Sequence, residues 1–292
     1  MISGSLVAII TPFKKNKIDY EALTNLIEFQ IAGGTHGIVP CGTTGESPTL
    51  SHDEHMEVIK HTIEVVDKRV PVIAGTGSNS TEEAVNLTKF AQQAGADAAL
   101  VIVPYYNKPT QEGMFQHFKA VASSTDIPII LYNVPGRTGS NMLPATVARL
   151  KSKCGNIIGI KEASGSITQA TEILSQCGLE FLLLSGDDAL NFPLLTIGAR
   201  GFITVTANVA PNDVADLYNK FVAGDYEACR KLHYKLLPLN EALFLETNPI
   251  PVKRALALMG RIEMGCRLPL CEMSKIHLDK LKSVLKNYGL TD

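Results

Sequence analysis

Residues 157–165 read Ile-Ile-Gly-Ile-Lys-Glu-Ala-Ser-Gly, an apolar segment that runs into a lysine. Lysine is rarely fully buried unless it is paired. The segment therefore predicts one of two arrangements for Lys161. The side chain either reaches solvent or a salt bridge at a strand end, or it is a desolvated amine that attacks a carbonyl group. Glu162 follows on the strand and is expected to point away from Lys161.

Similar apolar runs recur along the chain and alternate with helical patterns up to about residue 223. They predict eight strands, at residues 6–10, 37–40, 71–74, 98–103, 127–132, 157–161, 181–185 and 201–205. The runs are almost continuously apolar, which is typical of parallel strands covered on both faces. The predicted helices between and after them lie at about residues 20–32, 51–66, 80–95, 111–123, 144–150, 168–176, 188–197 and 211–223. Capping boxes are predicted at Ser51-x-x-Glu54 and Ser80-x-x-Glu83.

Eight such units in about 225 residues predict a (β/α)8 TIM barrel. A doubly wound open sheet is the alternative, but the chain has no GxGxxG loop. Beyond residue 224 only helical patterns appear, at about residues 225–237, 249–259 and 274–285. We therefore expect a barrel domain over residues 1–224 and a C-terminal helical domain over residues 225–292.

The composition is that of an ordinary globular protein, with 45% hydrophobic and 19% charged residues and a net charge of −2. No basic patch predicts a nucleic-acid or membrane-surface partner. No segment resembles a signal peptide or a membrane helix. The six cysteines form no CxxC pair, which is typical of reduced thiols in a cytoplasmic protein. His52-x-x-His55 has no third ligand at a suitable spacing, so we expect no metal and no cofactor.

Chemistry in a TIM barrel occurs at the C-terminal ends of the strands. Unusual polar residues follow most of the predicted strands: Thr43, Thr44, Tyr105, Tyr106, Tyr132, Arg137, Lys161, Asp187 and Asp188. This convergence favours a reactive Lys161, because burial disfavours the charged amine and leaves it free to form a Schiff base with a 2-oxo acid. The two aspartates would repel a phosphorylated substrate.

The other residues at the strand ends suit the same chemistry. Thr43 and Thr44 can offer hydroxyl and N–H groups to a small carboxylate, although a Gly-flanked turn would use them too. Tyr132 is either a proton shuttle or a packing aromatic, and Arg137 either binds a second carboxylate or is merely solvated. Tyr105 and Tyr106 are adjacent on an extended stretch, so they point in opposite directions.

Five motifs resemble the dihydrodipicolinate synthase family: residues 42–47 (GTTGES), 132–138 (YNVPGRT), 159–163 (GIKEA), 185–188 (SGDD) and 201–208 (GFITVTAN). The similarity continues into the tail at residues 248–253 (NPIPVK). The first and third motifs are shared with the wider class of pyruvate-dependent lyases, which includes N-acetylneuraminate lyase. Arg137 distinguishes the synthase branch.

The resemblance implies a specific reaction. Lys161 would condense with pyruvate, which Thr44 and the backbone at Ile203 would hold. Tyr132 and Thr43 would relay protons. It also implies that Tyr106 reaches in from a neighbouring subunit of a homotetramer, a dimer of dimers.

The second substrate would be L-aspartate 4-semialdehyde, with its carboxylate on Arg137 near Gly186. This is the first committed step of lysine biosynthesis through diaminopimelate. The resemblance also implies a feedback site for L-lysine. Its residues would be Ser47, His52, His55, Asn79, Glu83 and Tyr105.

Two alternatives remain open from the sequence. The chain could be a pyruvate lyase acting on a sugar acid, which Arg137 argues against. It could also be a non-catalytic barrel that serves as a binding or scaffold protein, in which case Lys161 would be an ordinary salt-bridged lysine.

Overall fold

A computed structural model describes residues 2–292. Eight parallel strands form its centre: β1 Gly4–Ala8, β4 Gly37–Val39, β5 Ile73–Gly75, β6 Ala98–Ile102, β7 Ile129–Asn133, β8 Ile157–Glu162, β9 Leu182–Ser185 and β10 Gly201–Thr204. Strand β1 pairs with both β4 and β10, and the remaining strands pair in chain order back to β5. A bridge between Ile38 and Val72 joins β4 to the start of β5, so the sheet closes into a ring. The predicted TIM barrel is confirmed, with strand ends within two residues of the predicted ones.

Helices surround the ring: α1 Tyr20–Ala32, α2 His52–Val66, α3 Thr81–Ala94, α4 Gln111–Ser123, α5 Pro135–Thr138, α6 Pro144–Lys153, α7 Ile167–Cys177, α8 Asn191–Thr196, α9 Pro211–Val222, α10 Tyr226–Ala242, α11 Ile250–Leu258 and α12 Lys275–Tyr288. Two features were not predicted: the short helix α5, and a hairpin of β2 Phe13–Lys14 with β3 Lys17–Ile18. The helix predicted at 188–197 is divided into a 3₁₀ turn, Asp188–Leu190, and α8.

The two predicted capping boxes differ. Ser51 and Glu54 exchange side-chain and backbone hydrogen bonds at the start of α2, as a capping box requires. At the start of α3, Ser80 accepts from the Glu83 N–H, but the Glu83 carboxylate does not return the bond. The hydroxyl of Ser78 accepts from Ser80 N and donates to Glu83 Oε2 at 2.6 Å. The second box is therefore wrong, because Ser78 occupies the backbone donor that Glu83 would have capped.

Side chains alternate between the inside and the outside of the barrel, as a period of two requires. One cluster fills the interior and includes Leu6, Leu100 and Ile203. Two further clusters lie between the strands and the helices. Ile160 belongs to an outer cluster, so the next residue, Lys161, faces the interior.

The C-terminal helices pack on the barrel rather than standing apart. Helix α10 contacts α9 and α12, and one hydrophobic cluster contains Val214 of α9, Leu239 of α10 and Leu285 of α12. The predicted boundary near residue 224 falls between α9 and α10. The division into two domains stays a prediction. None of the helices in residues 2–292 has the length and hydropathy needed to cross a membrane.

Candidate active site

Lys161 lies inside the barrel near the C-terminal end of β8. It pairs in register with Tyr132 on β7 and Leu184 on β9. The residue is 7% exposed, and its Nζ lies 4.2 Å from the centroid of the Tyr132 ring. Within residues 2–292, no carboxylate oxygen lies within 4.0 Å of this amine. Lys161 is therefore not an ordinary salt-bridged lysine.

Glu162 points the other way, as expected. Its Oε1 accepts from Ser164 N at 2.7 Å. Its Oε2 accepts from Asn133 Nδ2 at 3.0 Å and from Gln169 Nε2 at 3.2 Å. The buried carboxylate thus ties β8 to β7 and α7 on the outer face, and it leaves Lys161 without a counter-ion from its own strand.

A cavity of about 360 Å³ opens at the C-terminal ends of the strands. We call it the catalytic cavity. Seven of the eight residues predicted for catalysis and substrate binding line it: Thr43, Thr44, Tyr132, Arg137, Lys161, Gly186 and Ile203. The structure brings these residues together from five different strand ends.

Tyr106 is the exception among these predictions. It does not line the catalytic cavity. Its side chain is 89% exposed and its φ is +72°. A left-handed backbone is uncommon at a bulky residue, and at this position the phenol projects outward from the surface of its own chain.

The C-terminal helices also contribute to the catalytic cavity, which sequence reasoning missed. Asn240, Glu241, Phe244 and Asn248 line its rim and wall. The one signal in the sequence was the family-like motif at residues 248–253, to which no role was assigned. Asn240 bonds Thr206 and Asp188 across 34 and 52 residues of chain, and Asn248 bonds Thr44 across 204, so no local pattern reveals these contacts.

The loop at residues 42–47, which contains Thr43 and Thr44, forms one wall of the catalytic cavity. Gly45 N and Glu46 N donate to Gly42 O and Thr43 O, and Glu46 has a left-handed φ of +55°. The Glu46 carboxylate is fully buried and pairs with the equally buried Lys253 of α11. Its second oxygen accepts from Arg267 N at 3.0 Å. Desolvation lowers the pKa of the Lys253 amine, and the attraction of Glu46 opposes it.

Gly186 leaves room for the Lys161 side chain. A Cβ at this position would lie 2.9 Å from Lys161 Cε and 2.7 Å from the Cβ of Ala163. Real Cβ atoms essentially never approach that closely, so a side chain here would displace Lys161. The predicted substrate-binding residue therefore also determines where the amine lies.

The two aspartates after β9 have different roles. Asp188 Oδ2 accepts from Val205 N and Thr206 N, each at 2.9 Å, and so fixes the backbone that follows β10. Both aspartates line the catalytic cavity, and burial raises the pKa of the Asp187 carboxyl. Both carboxyl groups therefore reach the cavity, although Oδ2 of Asp188 is already bonded to backbone donors.

Arg137 is an exposed residue of α5 on the rim of the catalytic cavity. Its guanidinium has no hydrogen-bond or ion-pair partner among residues 2–292. An unpaired planar fork of donors at a cavity rim suits a carboxylate ligand.

A second cavity of about 330 Å³ adjoins the first, and the two share Gly42, Thr43, Leu100, Tyr132 and Arg137. It contains five of the six residues predicted for L-lysine: Ser47, His52, His55, Glu83 and Tyr105. Asn79 does not line it, and the backbone oxygen of Asn79 accepts from Asn107 Nδ2 at 2.9 Å. Tyr105 and Tyr106 do separate, one toward this cavity and one to the surface.

Three ionisable side chains of the second cavity, His52, Glu83 and His55, make polar contacts with neighbouring groups. The Glu83 carboxylate lies 3.8 Å from His52 Nε2. His55 Nε2 donates to Gly75 O at 2.7 Å, and burial lowers the pKa of its imidazole. No group of three or more His, Cys, Asp or Glu side chains within residues 2–292 is placed to hold a metal ion.

The chain thus holds a buried, unpaired lysine inside a (β/α)8 barrel, with a tyrosine, hydroxyls and an arginine around it. This arrangement defines a Schiff-base enzyme of the class I aldolase type. Comparison with known proteins then specifies the family. The model of the dihydrodipicolinate synthetase family matches residues 1–288, and the chain belongs to that family.

The similarity to known proteins extends over almost the whole chain. The 4-hydroxy-tetrahydrodipicolinate synthase of Thermodesulfovibrio yellowstonii is 59% identical over 290 residues, which is 99% of each chain. The chloride-inhibited dihydrodipicolinate synthase from Acinetobacter baumannii, solved in complex with pyruvate, has a TM-score of 0.97 and 46% identity, covering 99% of this chain and 100% of that one. The enzyme from Cyanidioschyzon merolae, solved with lysine bound, has a TM-score of 0.96 and 39% identity, covering 99% and 98%.

Proposed function

We propose that the chain condenses pyruvate with L-aspartate 4-semialdehyde to 4-hydroxy-tetrahydrodipicolinate through a Schiff base on Lys161. The reaction is the first committed step of lysine biosynthesis through diaminopimelate. The observation that carries the proposal is the buried amine of Lys161, which has no carboxylate partner and lies 4.2 Å from the Tyr132 ring.

The first half of the reaction activates pyruvate. Lys161 Nζ attacks the keto carbon, and the oxygen leaves as water after proton transfers that Tyr132 and Thr43 relay. The resulting iminium withdraws electrons, so a proton is lost from the methyl carbon and an enamine forms. Thr44 and the backbone at Ile203 hold the carboxylate while this occurs.

The second half forms the new carbon–carbon bond. The enamine carbon attacks the aldehyde carbon of the semialdehyde, and the aldehyde oxygen takes up a proton. The amino group of the semialdehyde then attacks the iminium carbon, the ring closes and Lys161 leaves as the free amine. Arg137 binds the semialdehyde carboxylate near Gly186. This role is supported by its guanidinium, which has no hydrogen-bond or ion-pair partner among residues 2–292.

The assembly supplies the last member of the proton relay. We infer a homotetramer built as a dimer of dimers, in which Tyr106 enters the catalytic cavity of the neighbouring subunit. The 89% exposure of Tyr106 supports this assignment. The six cysteines are all free thiols, which supports a reducing compartment, the cytoplasm.

The second cavity is proposed to bind L-lysine as a feedback inhibitor. Glu83 offers a carboxylate to an ammonium group, and Ser47, His52 and Tyr105 offer further polar contacts. Because Thr43, Tyr132 and Arg137 line both cavities, a ligand in the second cavity touches groups that the reaction uses.

Initial rates of two reactions test the proposed function. The chain is expected to use pyruvate with L-aspartate 4-semialdehyde and to show no cleavage of N-acetylneuraminate. Lys161→Met should reduce the rate by at least about 1,000-fold, since the covalent route is lost. Comparable activity toward the sugar acid would instead assign the chain to the lyase branch.

A further inference from the structure

The motif at residues 248–253 docks onto the loop at residues 42–47 through two buried polar contacts. Asn248 Nδ2 donates to Thr44 Oγ1 at 3.0 Å. Five residues later, Lys253 Nζ pairs with Glu46, two residues after Thr44. Two contacts in the same order fix both the position and the direction of the loop relative to the C-terminal helices.

The bond between Asn248 and Thr44 determines the direction of one proton. A threonine hydroxyl can donate one hydrogen bond and accept two. Because the Asn248 amide donates to Thr44 Oγ1, the hydroxyl proton of Thr44 must point elsewhere. No described protein group among residues 2–292 accepts that proton, and Thr44 lines the catalytic cavity.

The Asn248 side chain is not satisfied by its own surroundings. The residue is 4% exposed, yet its Oδ1 is buried without a hydrogen-bond partner among residues 2–292. An unpaired buried acceptor costs free energy and is uncommon in folded proteins. The hydrogen bonds of the amide therefore do not by themselves explain why asparagine occupies this position in the cavity wall.

We propose that Asn248 is a positioning residue that directs the Thr44 hydroxyl proton toward the carboxylate of bound pyruvate. The inference rests on the proposed function, in which Thr44 binds that carboxylate. With Asn248 as a donor, Thr44 offers its proton to the anion, whereas an acceptor at position 248 would take the proton away. The C-terminal motif thereby becomes part of substrate recognition by the barrel.

A double-mutant cycle with borohydride trapping tests this. The measured quantity is the pyruvate concentration that gives half-maximal reduction of the Lys161 adduct. Asn248→Ala is expected to raise it by up to about tenfold, because Thr44 keeps its hydroxyl but loses the neutral donor that orients it. Asn248→Asp, which keeps the shape, should raise it further, because its carboxylate accepts the Thr44 proton and repels pyruvate.

Thr44→Val combined with Asn248→Ala should behave like Thr44→Val alone, because the amide acts only through the hydroxyl. Trapping of acetone, which has no carboxylate, should be the same in the wild type and in Asn248→Ala. Asn219→Asp, a surface change on α9, is the matched control and should match the wild type. Thermal unfolding checks that each variant folds, and Asn248→Asp carries the test if Asn248→Ala does not.

The outcomes separate two failures. Additive effects of Thr44→Val and Asn248→Ala, or equal losses for pyruvate and acetone, would show a general structural role and overturn the inference alone. If Thr44→Val leaves pyruvate trapping unchanged, Thr44 does not bind the carboxylate, and both the inference and that part of the proposed function are wrong.

Discussion

The catalytic cavity and the second cavity share a wall but support their polar groups in different ways. In the catalytic cavity Lys161 is 7% exposed and Thr44 is 2% exposed, and Thr44 is held by buried Asn248. In the second cavity the side chains of His52 and Glu83 are 64% and 45% exposed. Their mutual contact is 3.8 Å long.

The difference agrees with the roles proposed for the two cavities. A covalent reaction requires its groups to be aligned before the substrate arrives, because misplacement by about 1 Å costs roughly 100-fold in rate. A regulatory ligand can supply part of the order on binding. We therefore expect changes under the shared wall to affect both cavities, and changes at the exposed groups to affect only one.

Removal of the charge beneath the shared wall should have the largest effect. Lys253→Met leaves the Glu46 carboxylate buried without its partner, so the free energy of unfolding should fall by about 3–5 kcal/mol. The double variant Glu46→Gln with Lys253→Met removes both charges and should recover most of that loss. Urea unfolding of the three proteins measures this, and a double variant as unstable as the single one would contradict the pairing.

Arg137 lines both cavities, but its proposed role belongs to the reaction. Arg137→Lys keeps the charge and loses the bidentate fork, so kcat/KM for the semialdehyde should fall roughly 100-fold. Trapping of pyruvate on Lys161 should be unchanged. Arg149→Lys, at a surface pair with Glu112, is the control. An equal loss of pyruvate trapping would show that Arg137 acts on pyruvate and would contradict its assignment to the semialdehyde.

Acid should weaken the support of the second cavity. His117 Nδ1 bonds Thr81 Oγ1 at 2.9 Å at the start of α3, which carries Glu83, and burial lowers the pKa of His117 to about 4. Between that value and the ordinary pKa of about 6.5, the unfolded chain binds the extra proton. Stability is therefore present above about pH 6.5 and is lost as the pH falls toward 4.

Urea unfolding at about pH 7 and pH 4.5 measures this loss. The free energy of unfolding of the wild type should fall by about 2 kcal/mol more than that of His117→Asn. Equal pH dependence of the two proteins would show that His117 is not the group responsible.

The exposed groups of the second cavity should give the smallest change. Glu83→Gln removes the charge proposed to bind the lysine ammonium, so the L-lysine concentration for half inhibition should rise about tenfold. The uninhibited rate should stay at the wild-type level. Glu82→Gln, the exposed neighbour on α3, is the matched control. If millimolar L-lysine at limiting pyruvate does not inhibit the wild type, the proposed lysine site is wrong.

Local patterns predicted the barrel and the direction of Lys161. Continuous apolar runs identified the strands, and the alternation of strand side chains placed Glu162 outside, where it bonds Asn133 and Gln169. The hairpin of β2 and β3 was missed because strands of two residues show no periodicity. Glu83 was assigned to a cap because the sequence pattern does not show that Ser78 competes for it.

Contacts between distant segments were beyond the reach of such patterns. Asn248 meets Thr44 and Lys253 meets Glu46 across more than 200 residues of chain. A single sequence has no signal for a pairing at that separation. The motif at residues 248–253 was recognisable, but its role became apparent only from the fold.

The central claim is that Lys161 forms a covalent Schiff base with pyruvate. The direct measurement is to incubate the enzyme with pyruvate, reduce with borohydride, digest it and locate the added mass by mass spectrometry. We predict a single reduced pyruvate adduct, on the peptide that contains Lys161, and none in Lys161→Met. An enzyme that turns over both substrates and yet shows no adduct on Lys161 would contradict the account.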